Sequence, residues 1–114
     1  MNVIIFGPPG AGKGTQAQNL VNKFNLYQVS TGDLLRFEIK EKSEIGKKIE
    51  KNISRGDFVN DEIINKLLNK IIKNPNYRNR IIFDGYPRNI NQAKKLEVML
   101  NSNNQSINFI LFLK

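Results

Sequence analysis

Three observations predict an α/β fold built on a parallel sheet. Short apolar runs rich in β-branched residues alternate with longer segments of helical periodicity. A glycine-rich turn joins the first such run directly to the first helical segment. The whole chain is 114 residues, the span of one domain. Strands alternating with helices imply right-handed crossovers between parallel neighbours.

Asn2 to Phe6 (NVIIF) reads as a buried strand, because β-branched residues are followed at once by glycines. Thr15 to Phe24 places Ala17, Leu20, Val21 and Phe24 at the spacing of one helical face. Leu26 to Val29 is a second strand. Ser30 is a helix N-cap, with Asp33 three residues on and the helix running through Leu34, Leu35, Phe37 and Ile39. Ser43 to Ile53 is helical, with Ile45, Ile49 and Ile53 four apart, and Gly56 breaks it. Asn60 to Ile72 carries the widest apolar stripe, from Ile63 and Ile64 to Ile71 and Ile72, and Asn74-Pro75-Asn76 ends it. Ile81 to Phe83 is a third strand ending at Asp84-Gly85. Asn89 starts a helix through Ala93, Leu96 and Leu100, and Ile107 to Leu113 is a fourth strand. Residues 30–59 hold two helices with no strand, which marks a small helical insertion beside the sheet.

Composition removes several function classes. Hydrophobic residues are 39% and charged residues 25%, which argues against global disorder. The longest apolar run, Phe109 to Leu113, is far below the roughly 20 residues of a membrane span. With no Cys and no His, there is no disulfide, no thiolate or imidazole metal site, and no Cys or His catalytic centre. The N-terminal run has no basic segment before it, so no secretory signal is read and a cytoplasmic location is expected. Lys plus Arg is 18 against 10 Asp plus Glu, a net charge of +8. The lysines are scattered and no five like charges run together, so no nucleic-acid partner is expected; no membrane partner is expected either, and the chain is expected to be a monomer. Base-reading modules set aromatic side chains among basic ones, whereas most Phe residues here fall on expected core faces.

The segment Gly7-Pro8-Pro9-Gly10-Ala11-Gly12-Lys13-Gly14-Thr15 matches G-x-x-x-x-G-K between a strand and a helix. Such a loop suits polyphosphate. Glycines let successive N–H groups converge without a Cβ in the way, the helix N-terminus adds positive potential, and Lys13 can place an ammonium between terminal phosphates. A plain glycine turn explains neither the spaced glycines nor the lysine. The generic pattern has Ser or Thr after the lysine to hold Mg²⁺. Gly14 stands there instead, and Thr15 is the nearest hydroxyl for phosphate or metal-bound water.

GPPGAGKGTQA closely resembles the adenylate kinase family, whose loop variant is GKGT. Three further segments agree in order and position: Ser30 to Arg36 (STGDLLR), Gly56 to Val59 (GDFV) with Asp61-Glu62, and Asp84 to Arg88 (DGYPR) with Gln92-Ala93. The resemblance implies a three-layer fold like that of P-loop nucleoside triphosphate hydrolases, with 1–29 and 60–114 as the core and 30–59 as a mobile AMP-binding domain. It implies ATP phosphates on Gly10, Ala11, Gly12, Lys13, Gly14 and Thr15. It places AMP on Thr31, Arg36, Asp57, Phe58, Val59, Gly85, Tyr86, Pro87, Arg88 and Gln92. Lys13 and Arg88 would be the catalytic residues, Arg36 and Arg88 clamping the AMP phosphate. Asp84 would orient water on a Mg²⁺ that arrives with ATP, and the Tyr86-Pro87 bond would be cis.

The implied reaction is reversible transfer of the terminal phosphoryl group from ATP to AMP, giving two ADP. Bland alternatives stand beside these roles. Arg36 can be a solvated helix charge, Asp33 and Asp84 can cap, and Asn89 and Gln92 have capping-box spacing. Another nucleoside monophosphate kinase, for UMP or CMP, is the runner-up, although Thr31 and Gln92 fit the AMP pattern. A non-catalytic nucleotide-binding fragment is the alternative from a different class. Family members run to roughly twice this length and add an ATP lid, further arginines and a fifth strand. The chain is therefore expected to be truncated after its fourth strand, to have little activity, and to present that strand as an exposed apolar edge.

Overall fold

The computed structural model describes residues 1–8, 10–55 and 59–114. Among them run β1 (Val3–Phe6), α1 (Lys13–Phe24), β2 (Tyr27–Ser30), α2 (Thr31–Lys40), α3 (Glu44–Ser54), α4 (Asp61–Ile72), a 3-10 turn (Pro75–Tyr77), β3 (Ile81–Asp84), α5 (Ile90–Asn101) and β4 (Phe109–Phe112). The strands form one sheet in the order β2-β3-β1-β4, every neighbour parallel. The expected α/β fold with a parallel sheet is the fold observed.

Strand register sorts the core into two layers. Val3 pairs with Ile82 and Ile5 with Asp84, while Gln28 also pairs with Ile82 and Ser30 with Asp84. In a parallel sheet partners point to the same face, so these residues share a side. There Val3, Ile5 and Ile82 pack against Ala17, Leu20 and Val21 of α1. On the opposite face Ile4, Val29, Ile81 and Phe83 pack against Leu68 and Ile72 of α4 and Leu96 and Leu100 of α5. Each such buried side chain contributes about 1.5–3 kcal/mol, so the central strands are the most firmly held part of the chain. All four strands end at the same edge of the sheet, where α/β folds build their ligand sites.

Several boundaries move for identifiable reasons. Asn2 is not a strand residue but a fully buried polar hub: its amide nitrogen donates to Gln105 Oε1 (3.2 Å) and the Ser106 carbonyl (3.2 Å), and its Oδ1 accepts from Ile81 N–H (3.1 Å). Helix α1 begins two residues before Thr15, because Gly12 takes the left-handed conformation (φ 84°) and acts as its N-cap. Ser30 is both the last residue of β2 and the cap of α2, its hydroxyl accepting Asp33 N–H at 3.4 Å. The break expected at Gly56 lies outside the described residues.

The placement of phenylalanines on core faces is corrected. Of those described, Phe83 is buried and Phe6 half-buried, but Phe24, Phe37, Phe109 and Phe112 are exposed. The cause for Phe109 and Phe112 is topological: β4 is an edge strand, with Phe109 56%, Ile110 56% and Phe112 72% exposed. The expected apolar edge is thus present. Phe24 and Phe37 line open concavities at the margins of the two layers, Phe24 beside Val3 and Leu20, Phe37 beside Leu34 and Ile71, where no further described element covers them. Ile53, expected on the stripe of α3, and Ala93, expected on that of α5, are likewise exposed.

Candidate functional site at the strand tips

Of the five described α-helices, four begin with a side-chain cap: Ser30, Ser43, Asn60 and Asn89 each accept an N–H from the first turn. Helix α1 begins on Gly12, with no side-chain cap and no acidic residue in its first turn. Four N–H groups open every helix without intrahelical partners, and at α1 no side chain among the described residues satisfies them. The loop before it turns inward through Gly10 and Gly12, both at φ 84°, with Ala11 N–H donating to the Pro8 carbonyl at 3.2 Å. A Cβ at either glycine would meet nothing within 4 Å. Backbone conformation, rather than crowding, is what demands glycine there. Gly14 and Thr15 continue the first turn and are exposed.

Lys13, the first residue of α1, forms an ion pair with Asp84 Oδ1 at the end of β3; the side chains are 30% and 14% exposed. The other carboxylate oxygen, Oδ2, accepts from Gln28 Nε2 at 3.3 Å. Gln28 was not singled out from the sequence. The signal available was a polar side chain in a four-residue strand, where a half-buried amide needs a partner.

Gly85, Tyr86, Pro87 and Arg88 follow β3, and the Tyr86-Pro87 bond is cis. Tyr86 is buried and donates its hydroxyl to Asn65 Oδ1 at 2.6 Å. Burial, and then the Asp61 carboxylate, push its phenol up to about 12. Arg88 turns its Nε–H onto the Gly85 carbonyl at 2.8 Å. Gln92 is occupied at the helix start: its backbone N–H goes to the Asn89 cap (2.9 Å), its Oε1 accepts Arg88 N–H (2.7 Å), and its amide nitrogen donates to Asp61 Oδ1 (3.0 Å). Gln92 thus serves the helix start, but its side chain accepts from Arg88, one residue before the Asn89 cap, so the box expected with Asn89 is not closed. Thr31 opens α2 half-buried, and Val59 precedes α4 half-buried. Arg36 points into solvent and pairs with Asp33 on its own helix, both side chains 71% exposed. Asp57 and Phe58 lie outside the described residues.

Among the described residues no three Asp or Glu side chains cluster to cage a metal. A single carboxylate, Asp84, beside an open cradle fits a cation carried in by phosphates and touched through water.

The family model described as adenylate kinase matches residues 5–114. The chain belongs to the adenylate kinase family. As a member it is similar to the adenylate kinase of Pelagibacter ubique strain HTCC1062, 61% identical over 113 residues, covering 99% of this chain and 53% of that protein. It is 46% identical over 113 residues to the adenylate kinase of Mycoplasma mycoides subsp. mycoides, covering 99% and 52%. Against that of Methanosarcina barkeri it is 41% identical over 114 residues, covering 100% and 53%. This adenylate kinase-family chain therefore spans about half the length of the curated relatives it matches. No described helix is long and apolar enough to cross a membrane.

Proposed function

We propose that this chain forms the phosphate-donor cradle and the acceptor side of an enzyme transferring the terminal phosphoryl group of ATP to AMP. The single observation that carries the reading is the uncapped start of α1 at the strand tips, with Lys13 beside it and paired to Asp84. Anionic phosphate is the natural ligand for such a start.

The ATP phosphates lie on the N–H groups of residues 10–15, and Lys13 exchanges Asp84 for the terminal phosphates. Arg88 holds the AMP phosphate from the core side and Arg36 from residues 30–59, the segment that closes over AMP. Gln92, once released from Asp61, reads the adenine edge, with Thr31 nearby. One AMP phosphate oxygen attacks the γ-phosphorus in line, and the bond from that phosphorus to the ATP bridging oxygen breaks. No base is needed, because the attacking oxygen is already anionic. Closure excludes water as a competing acceptor. Asp84, through water, and the Thr15 hydroxyl would hold Mg²⁺, which supplies charge neutralisation on the phosphates. Among the described residues Lys13 is the one cation placed on the loop. A transition-state arginine is worth roughly 10³–10⁵ in rate, so the chain by itself binds nucleotide but turns over slowly.

Calorimetric titration of ATP tests the cradle. Lys13→Ala is expected to lose about tenfold to a hundredfold in affinity, the worth of a charge-assisted hydrogen bond; unchanged affinity removes the assignment. In a panel of AMP, UMP, CMP and GMP, AMP is expected to bind most tightly. A preference for UMP or CMP moves the protein to the other nucleotide class.

A further inference from the structure

We propose that Gln28 is a positioning residue for Asp84, holding that carboxylate in place when Lys13 leaves it for the nucleotide. This rests on the cradle reading above and extends it to a residue that reading does not use.

Each oxygen of Asp84 has one donor of its own. Lys13 takes Oδ1 from α1, and Gln28 Nε2 takes Oδ2 at 3.3 Å from β2. The sheet dictates that meeting. Gln28 pairs with Ile82 and Ser30 with Asp84, so Gln28 and Asp84 lie on neighbouring strands and on the same face, the one that α1 covers. The two donors differ in what they can do. Lys13 ends a long flexible stem on the loop itself, and a polyphosphate there competes for its ammonium. Gln28 projects from a paired strand between neighbours and has no anionic ligand to follow.

Once Lys13 transfers, Asp84 would be a carboxylate near the end of a strand with a vacant oxygen and free rotation. The Gln28 amide prevents that rotation. It is also neutral, so it orients the carboxylate without cancelling its charge. Oδ1 is thereby left facing the cradle as a full anion for a divalent cation or its water. Partners that orient a ligating group in this way typically cost about 10–100-fold in metal affinity when removed.

The experiment is calorimetric titration of the chain with ATP in two arms, one with Mg²⁺ and one with EDTA. Gln28→Leu keeps the bulk and removes the donor. Gln28→Lys keeps a donor but neutralises Asp84. Both are expected to lose about tenfold of the affinity gained from Mg²⁺ while the EDTA arm matches wild type. Circular dichroism and the thermal midpoint confirm that each variant is folded, and either folded variant suffices. Equal losses in both arms assign Gln28 a purely structural role and overturn the proposal, as do unchanged values in both. Wild type binding equally well in both arms overturns the Asp84–Gln28 role and leaves the cradle standing. Absence of wild-type binding in both arms defeats the cradle reading and this proposal with it.

Discussion

Lys13 and Asp84 sit on or beside strands whose residues are buried, and each engages a partner across the fold: Lys13 with Asp84, and Asp84 with Gln28 on the neighbouring strand. Thr31 and Arg36 ride instead on α2, a helix with no buried residue, and Arg36 finds its partner one turn away on the same helix. The contrast teaches how one site can be half set and half adjustable. Groups anchored in the β1–β3 core keep their geometry without ligand. Groups on the α2–α3 pair depend on what that pair packs against, and a segment with few buried contacts opens at low cost.

The largest effect expected from this contrast is at Gly46 in α3. A Cβ there would sit 2.1 Å from the Glu38 carbonyl oxygen and 2.6 Å from its carbon, backbone atoms of α2 that cannot swing aside. Gly46→Val is expected to destabilise the α2–α3 pair by about 3 kcal/mol. Hydrogen exchange should quicken in residues 31–54 while β1 and β3 keep their protection. Loss of protection across all elements together would merge the two regions into one cooperative unit and break the comparison.

Next in size is the phenol that secures the segment after β3. The folded Tyr86 is raised from 10.0 to about 12, by burial first and Asp61 second. Its neutral form is thus favoured in the native state. The corresponding stability is fully present below pH 10, where both states are protonated. It is lost between pH 10 and 12, where the unfolded chain ionises first. The loss should be about 2–3 kcal/mol. Tyr27 shifts in the same direction, through burial and the neighbouring Tyr77, so the pH dependence of Tyr86→Phe isolates the share of Tyr86. If the variant and the wild type decline in parallel over that window, Tyr86 is not what holds this segment neutral and packed.

The smallest effect belongs to the exposed pair on α2. Asp33→Asn frees Arg36 from an ion pair worth about 0.2–1 kcal/mol in solvent. AMP affinity should rise by no more than about fivefold, without change in thermal midpoint. A change as large as that of Lys13→Ala would mean that Arg36 is as firmly placed as the core groups.

Much of this was legible in residue order. Short apolar β-branched runs and period-3.6 patterns located the four strands and five α-helices within a few residues. Ser30 was legible as a cap, Ser43, Asn60 and Asn89 stood at the starts of three more helices, and G-x-x-x-x-G-K led into the fifth, whose start was read at Thr15 and lies at Lys13. What pattern misjudged was exposure. Phe112 and Phe83 look alike in a strand, yet one is 72% exposed and the other buried, because strand order puts β4 at the edge and β3 inside. Gly46 gave no sign of its role, since a close approach between two helices leaves no periodicity. The ties of Asn2 to Gln105 and of Tyr86 to Asn65 also join residues too far apart in sequence for any local pattern to pair them.

By itself the sequence determined the parallel α/β class, the glycine-lysine loop between β1 and α1 and the family, because backbone preference, periodicity and a glycine-lysine spacing act over a few neighbouring residues. Tertiary structure alone decided that Lys13 rests on Asp84, that Gln28 holds the other carboxylate oxygen, and that the Gln92 amide is tied to Asp61. Those outcomes depend on which strands become neighbours and in what register, and that is set by packing two apolar faces of one sheet at once.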